Sequence, residues 1–116
     1  MILEEIKNKL LEIDPNVFYG AVDNRMRETV WDYIVFERKQ MDIPTNKTGH
    51  SLRFTVHIIR EAFIPEGLEM QVINKMKEIA GVRVSEQGGS YNYTTKPSTG
   101  AVIEAFSIDF VKPFKE

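Results

Sequence analysis

Ser51-Leu52-Arg53-Phe54-Thr55-Val56-His57-Ile58-Ile59-Arg60 decides the reading of the fold. Leu52, Phe54, Val56 and Ile58 recur at every second residue, the period of a strand with one side against a core. Arg53, Thr55, His57 and Ile59 take the other side. Such a strand needs neighbours for its backbone groups and a layer over its apolar side.

The neighbours are expected on both flanks. Residues 30–39 are rich in β-branched and aromatic side chains. Trp31, Tyr33 and Val35 alternate with Asp32, Ile34 and Phe36, so both sides of this strand are largely apolar and expected to be covered. Between the two strands, residues 40–50 hold Pro44, Asn46 and Gly49 and little apolar content. They read as a long loop that contacts a partner rather than its own domain.

Two amphipathic stretches supply the layer. In residues 2–13, Ile2, Ile6, Leu10 and Ile13 follow helical spacing, with glutamates early and lysines late as the helix dipole favours. Asp14-Pro15 ends that helix. In residues 66–80 the stripe is Leu68, Val72, Ile73, Met76, Ile79 and Ala80, opened by Pro65 and stopped by Gly81.

The remaining segments read as strands. Val17 to Tyr19 is a short one closed by Gly20. Residues 82–86 and 91–96 read as two strands around a Gln87-Gly88-Gly89-Ser90 hairpin. Pro97-Ser98-Thr99-Gly100 turns the chain into a last strand, 101–111, and residues 112–116 read as a frayed tail.

The expected fold is α+β: a single mostly antiparallel sheet with two helices packed on one face, in the order α-β-β-β-α-β-β-β. The 116 residues fit one domain. Leu52, Phe54, Val56, Ile58, Leu68, Val72, Met76, Ile79, Phe106 and Ile108 are the expected core.

Composition excludes several functions. With no cysteine, disulfides, thiolate metal sites and cysteine nucleophiles are ruled out. The 15 basic and 17 acidic side chains give a net charge of −2. A dedicated nucleic-acid binder carries a basic excess instead, so no sequence-specific nucleic-acid partner is expected. No apolar run approaches the ~20 residues of a membrane span, and the N-terminus lacks the pattern of a signal peptide.

Individual motifs read blandly. His50 and His57 are seven apart and would face opposite sides of one strand, with no carboxylate cluster around them, so no metal is expected and they read as a loop residue and an exposed strand residue. Glu66 and Glu69 suit the first turn of a helix. Glu104 shares a side with Phe106, Ile108 and Phe110, and a salt bridge to a neighbouring strand is its expected role. Lys47-Thr48-Gly49-His50-Ser51 resembles a phosphate loop but lacks the glycine spacing and the strand–loop–helix setting. Tyr91 and Tyr93 form a possible stacking pair for single-stranded nucleic acid. Arg38, Lys39, Lys47, His50 and Arg53 flank the 40–50 loop as a candidate partner-binding rim. No catalytic constellation is visible and no cofactor is required.

Several stretches, taken in order, resemble one family. They are Trp31-Asp32-Tyr33-Ile34-Val35-Phe36-Glu37-Arg38, Thr55-Val56-His57-Ile58-Ile59-Arg60-Glu61 and Phe63-Ile64-Pro65-Glu66-Gly67. Tyr91 and Tyr93 ahead of Lys96 follow, then the last strand with Glu104 and Phe110. Together they are similar to the tail-terminator or tail-completion proteins of long-tailed phages and prophages. The resemblance implies a non-enzymatic virion subunit that forms a ring, six-membered as the leading expectation. Its partners would be itself, the tail tube protein and the head–tail connector. It would sit at the tail–head junction, and in the host cytoplasm during assembly. The alternatives are a small ligand-binding domain, another head-completion or neck protein, and a small enzyme.

Overall fold

In the computed structural model, the described residues are 1–21, 31–44, 49–97 and 99–114. The alternating segment is the centre of the sheet: β3, His50–Glu61, pairs antiparallel with β2, Tyr33–Asp42, on one side. On its other side it pairs antiparallel with β5, Val102–Phe114. The short β1, Val17–Tyr19, lies outside β2, and β4, Arg83–Thr95, lies outside β5, giving the order β1-β2-β3-β5-β4. The β1–β2 pairing is parallel, so the five-stranded sheet is mixed. Gly20, at φ 79, follows β1 and lets the chain leave the sheet edge.

The helices α1, Ile2–Leu11, and α2, Leu68–Lys77, close one face of this sheet. Ile6 and Leu10 of α1 and Leu68, Val72 and Met76 of α2 join one core with Ile34, Phe36, Phe54, Val56, Ile58, Phe106, Ile108 and Phe110. All ten expected core residues are buried. Lys9–Glu78 and Lys75–Glu12 ion pairs bridge the two helices at the surface, where such pairs contribute little. Ile34 and Val35 are both buried, so both sides of β2 are covered at its start.

The element boundaries differ from expectation where backbone pairing overrides composition. Both helices are shorter than their apolar stripes. α1 ends at Leu11 because Ile13 and Asp14 both donate their N–H to Leu10 O, a tightened last turn. α2 starts only at Leu68, because Gly67 holds a left-handed φ of 93. β2 runs on through Gln40, Met41 and Asp42, which pair with Arg53, Leu52 and Ser51 beyond an irregularity at Lys39. The 40–50 loop therefore shrinks to 43–49, of which 45–48 lie outside the described residues. Likewise Lys112 to Phe114 is not frayed but continues β5 against β3.

The largest correction concerns Gln87-Gly88-Gly89-Ser90. It is not a hairpin turn. Residues on both sides of it pair with β5 in the same direction, so Arg83–Thr95 is one strand and the last unit is a two-stranded hairpin. From Val84 to Gly89 the chain takes five steps while its partner takes two, from Phe110 to Ile108, which makes a wide bulge. Gly88, at φ 67, supplies the kink. Gly89 is required for a different reason. A Cβ there would lie 2.2 Å from Phe106 Cζ, so the bare backbone is what allows the Phe106 ring to cover the strand. Gly89→Ala is expected to cost about 1–3 kcal/mol through overpacking, read as a lowered urea midpoint. Combining it with Phe106→Leu should recover part of that loss.

Candidate functional site

The face of the sheet away from the helices carries a polar group that no single segment encodes. Side chains alternate, so Glu37 of β2, Thr55 and His57 of β3, and Ser107 and Asp109 of β5 emerge on the side away from the helices. Strand pairing sets Thr55 opposite Asp109 and His57 opposite Ser107. They make two short rows. In the first, Ser107 Oγ lies 2.7 Å from His57 Nδ1, and His57 Nε2 lies 2.8 Å from Glu37 Oε1. A neutral imidazole protonated on Nε2 satisfies both contacts, accepting from Ser107 and donating to Glu37. In the second row, Thr55 Oγ1 donates to Asp109 Oδ1 and Lys39 Nζ to Asp109 Oδ2, each at 2.7 Å.

These rows floor an open hollow of about 600 Å³ whose wall is the β4 bulge, Gln87 to Ser90. The bulge thus does more than re-aim β4: it borders this polar group. Burial of Asp109 opposes its charge, but the hydrogen bonds from Lys39 and Thr55 outweigh that and hold its carboxyl below the usual range. The sign follows directly. A carboxyl depressed on folding stabilises the fold above its unfolded value of about 3.9 and loses that contribution as pH falls through the lower folded value. Asp109→Asn is therefore expected to flatten the fall in stability below about pH 4. Urea melts at pH 3 and pH 6 on both proteins measure this; equal slopes would contradict it.

The expected rim does not assemble as one surface. Lys39 and Arg53 point to the hollow face, but each is engaged, Lys39 with Asp109 and Arg53 with Asp42 at 2.9 Å. Arg38 lies on the helix side, where its Nε donates to the Tyr19 hydroxyl at 3.0 Å. His50 stacks on Phe114 with ring centroids 5.1 Å apart. Lys47 lies outside the described residues. Intervening strand alternation divides these side chains, although they cluster in sequence.

Two further readings are corrected. His57 is not a plain exposed strand residue, because Glu37 and Ser107 reach it from the two adjacent strands. The signal was present as Glu37/Lys39, Thr55/His57 and Ser107/Asp109, three polar pairs at strand spacing, but their alignment requires the register. Glu104 makes no salt bridge among the described residues. It accepts from the Ile64 N–H and the Tyr93 hydroxyl, each at 2.7 Å, and so ties β4 and the β3–α2 link to β5.

Tyr91 and Tyr93 sit on the helix side of β4. The Tyr91 ring packs on Phe106, centroids 4.9 Å apart, and its hydroxyl donates to Glu69. That hydrogen bond pushes its pKa up to about 12, and the hydrogen bond to Glu104 raises that of Tyr93 above the ordinary tyrosine value. Each phenol hydroxyl thus donates to a carboxylate, Tyr91 to Glu69 and Tyr93 to Glu104.

Among the described residues, no helix is long and apolar enough to cross a membrane. The chain matches no family model and no curated protein.

Proposed function

We propose that the chain is a non-catalytic structural subunit that closes into a homo-oligomeric ring, six copies being the leading expectation. The ring would cap a phage tail tube, end its polymerisation and join the tail to the head connector. The observation that carries the ring is a pair of sheet edges, on opposite sides of the subunit, that are unpaired among the described residues. β1 covers β2 only from Ile34 to Phe36, which leaves Glu37 to Asp42 without an outer strand among the described residues. At the other end no strand lies outside β4 among the described residues. Two different edges on one subunit suit the heterologous contacts from which a closed ring is made. The assignment to a phage tail is supported by the resemblance over residues 31–38, 55–61 and 63–67.

Sedimentation velocity and negative-stain microscopy of the purified protein test this reading. Closed rings are expected, alone or on tail tubes. A chain that stays monomeric at high concentration, both alone and with tail tube protein, overturns it.

A second reading, a small hydrolase, is favoured by one observation: the Ser107–His57–Glu37 contacts match the order of hydroxyl, imidazole and carboxylate in nucleophilic catalysis. Against it, Asp109 shares the face two residues from Ser107, where its charge disfavours a neighbouring oxyanion. A fluorophosphonate probe decides. Labelling of Ser107 that is lost in His57→Ala would establish the hydrolase.

A further inference from the structure

We propose that the β4 edge of one copy receives the outer edge of β2 of a second copy, with the second copy's Arg38 placed against Glu69. This inference rests on the ring reading and names its contact surfaces.

Three observations carry it. The first is the nature of the β4 edge. From Gln87 to Thr95 it has no charged residue, yet free strand edges are ordinarily guarded by charge or proline because they template pairing with another chain. An unguarded edge of this length is suited to take an added strand.

The second is the exposed apolar surface beside that edge. Tyr93 and Phe63 are 64% and 68% exposed, and Met70 and Tyr91 about half so. They form one neighbourhood, because Tyr91 reaches Glu69, beside Met70, and Tyr93 reaches Glu104, which holds the link next to Phe63. Large apolar groups gathered on one surface mark an interaction site.

The third is charge. Glu69 and Glu104 border this surface through their contacts with Tyr91 and Tyr93, and no cation bridges either of them among the described residues. At the opposite edge, Arg38 donates to a tyrosine hydroxyl and pairs with no carboxylate among the described residues. Met41 and Ile43, 58% and 71% exposed, lie close by in sequence. One edge thus offers phenols and carboxylates, and the other a guanidinium with apolar side chains, the combination that Arg recognises by charge and by stacking. Pairing two β4 edges with each other would instead bring the carboxylates of both copies together.

Charge reversal tests the proposal. Arg38→Glu and Glu69→Arg, alone, are each expected to raise the apparent dissociation constant of the ring by about tenfold or more, because like charges then meet. Arg38→Glu combined with Glu69→Arg in one chain is expected to restore association. Asn92→Lys, on the β4 edge, provides a backbone-edge test that touches neither charge and is also expected to weaken association. Circular dichroism and thermal melts check that each variant remains folded.

The outcomes separate the two levels of the argument. A wild-type protein that never associates overturns the ring itself. Wild-type rings that persist in both charge variants and in Asn92→Lys overturn this interface and leave the ring standing. Single variants that dissociate without recovery in the combined variant overturn the Arg38–Glu69 contact. Association that responds to Glu69→Arg and Asn92→Lys but not to Arg38→Glu points to paired β4 edges, and overturns the proposal too.

Discussion

Phe54→Ala is expected to lower the unfolding free energy by about 3–5 kcal/mol, the range for a large aromatic removed from a core. Phe54 is fully buried at the middle of β3 and faces Phe110 directly across the β3–β5 pairing, with the rings stacked 5.4 Å apart. The loss has two parts. One is the transfer free energy of the ring, and the other is the cavity that its neighbours cannot fill. Phe110 packs on it, and Phe36 and the buried side chains of both helices belong to the same core, each fixed by its own strand or helix. A domain of this size holds about 5–15 kcal/mol in all, so the variant would unfold at a much lower urea concentration. The slope with denaturant should hardly change, because the surface exposed on unfolding is nearly the same. Phe54→Leu should lose clearly less. A loss under about 1 kcal/mol for Phe54→Ala would remove Phe54 from the core.

That core was legible in the sequence because burial on one face imposes a period, and the period survives whatever the neighbours are. Leu52 to Ile58 and the helical stripes of Ile6, Leu10, Val72 and Met76 needed no knowledge of pairing. The misread parts depend on partners distant in the chain. Gln87-Gly88-Gly89-Ser90 has the composition of a tight turn, and only β5 running alongside both of its flanks makes it a bulge. Gln40 to Asp42 look like loop residues, yet β3 supplies their hydrogen-bonding partners. The parallel pairing of β1 left no trace in three residues. The polar group on the face away from the helices was the least legible. His57 is 20 residues from Glu37 and 50 from Ser107, so the site exists only through the register of three strands. The rim failed for the converse reason: Arg38 and Lys39 are adjacent in sequence and leave opposite faces of β2.

The Asp14–Arg60 pair should give the other large loss, and the pattern of its variants matters more than any single value. Asp14 follows α1 and is 5% exposed, and its Oδ2 accepts from Arg60 of β3 at 2.6 Å. Its Oδ1 accepts from the Asn16 N–H at 2.8 Å, which shapes the turn leading into β1. Arg60 also donates to the Ile59 and Tyr33 carbonyls, so its guanidinium is held in place before Asp14 contributes. Removing the carboxylate leaves that cation largely buried without a counter-charge, which is why breaking a buried pair costs about 3–5 kcal/mol while replacing both members costs far less. Asp14→Ala is therefore expected to lose about 3 kcal/mol or more. Asp14→Asn retains an acceptor for Asn16 and removes only the charge, so it should fall between the wild type and Asp14→Ala. Asp14→Leu with Arg60→Met should be more stable than Asp14→Ala, because no charge is then stranded. Urea melts of the four proteins at neutral pH supply the comparison. If the double variant is no better than Asp14→Ala, the pair acts through the Asn16 turn and the carbonyl contacts, and the buried charge is not what joins α1 to the sheet.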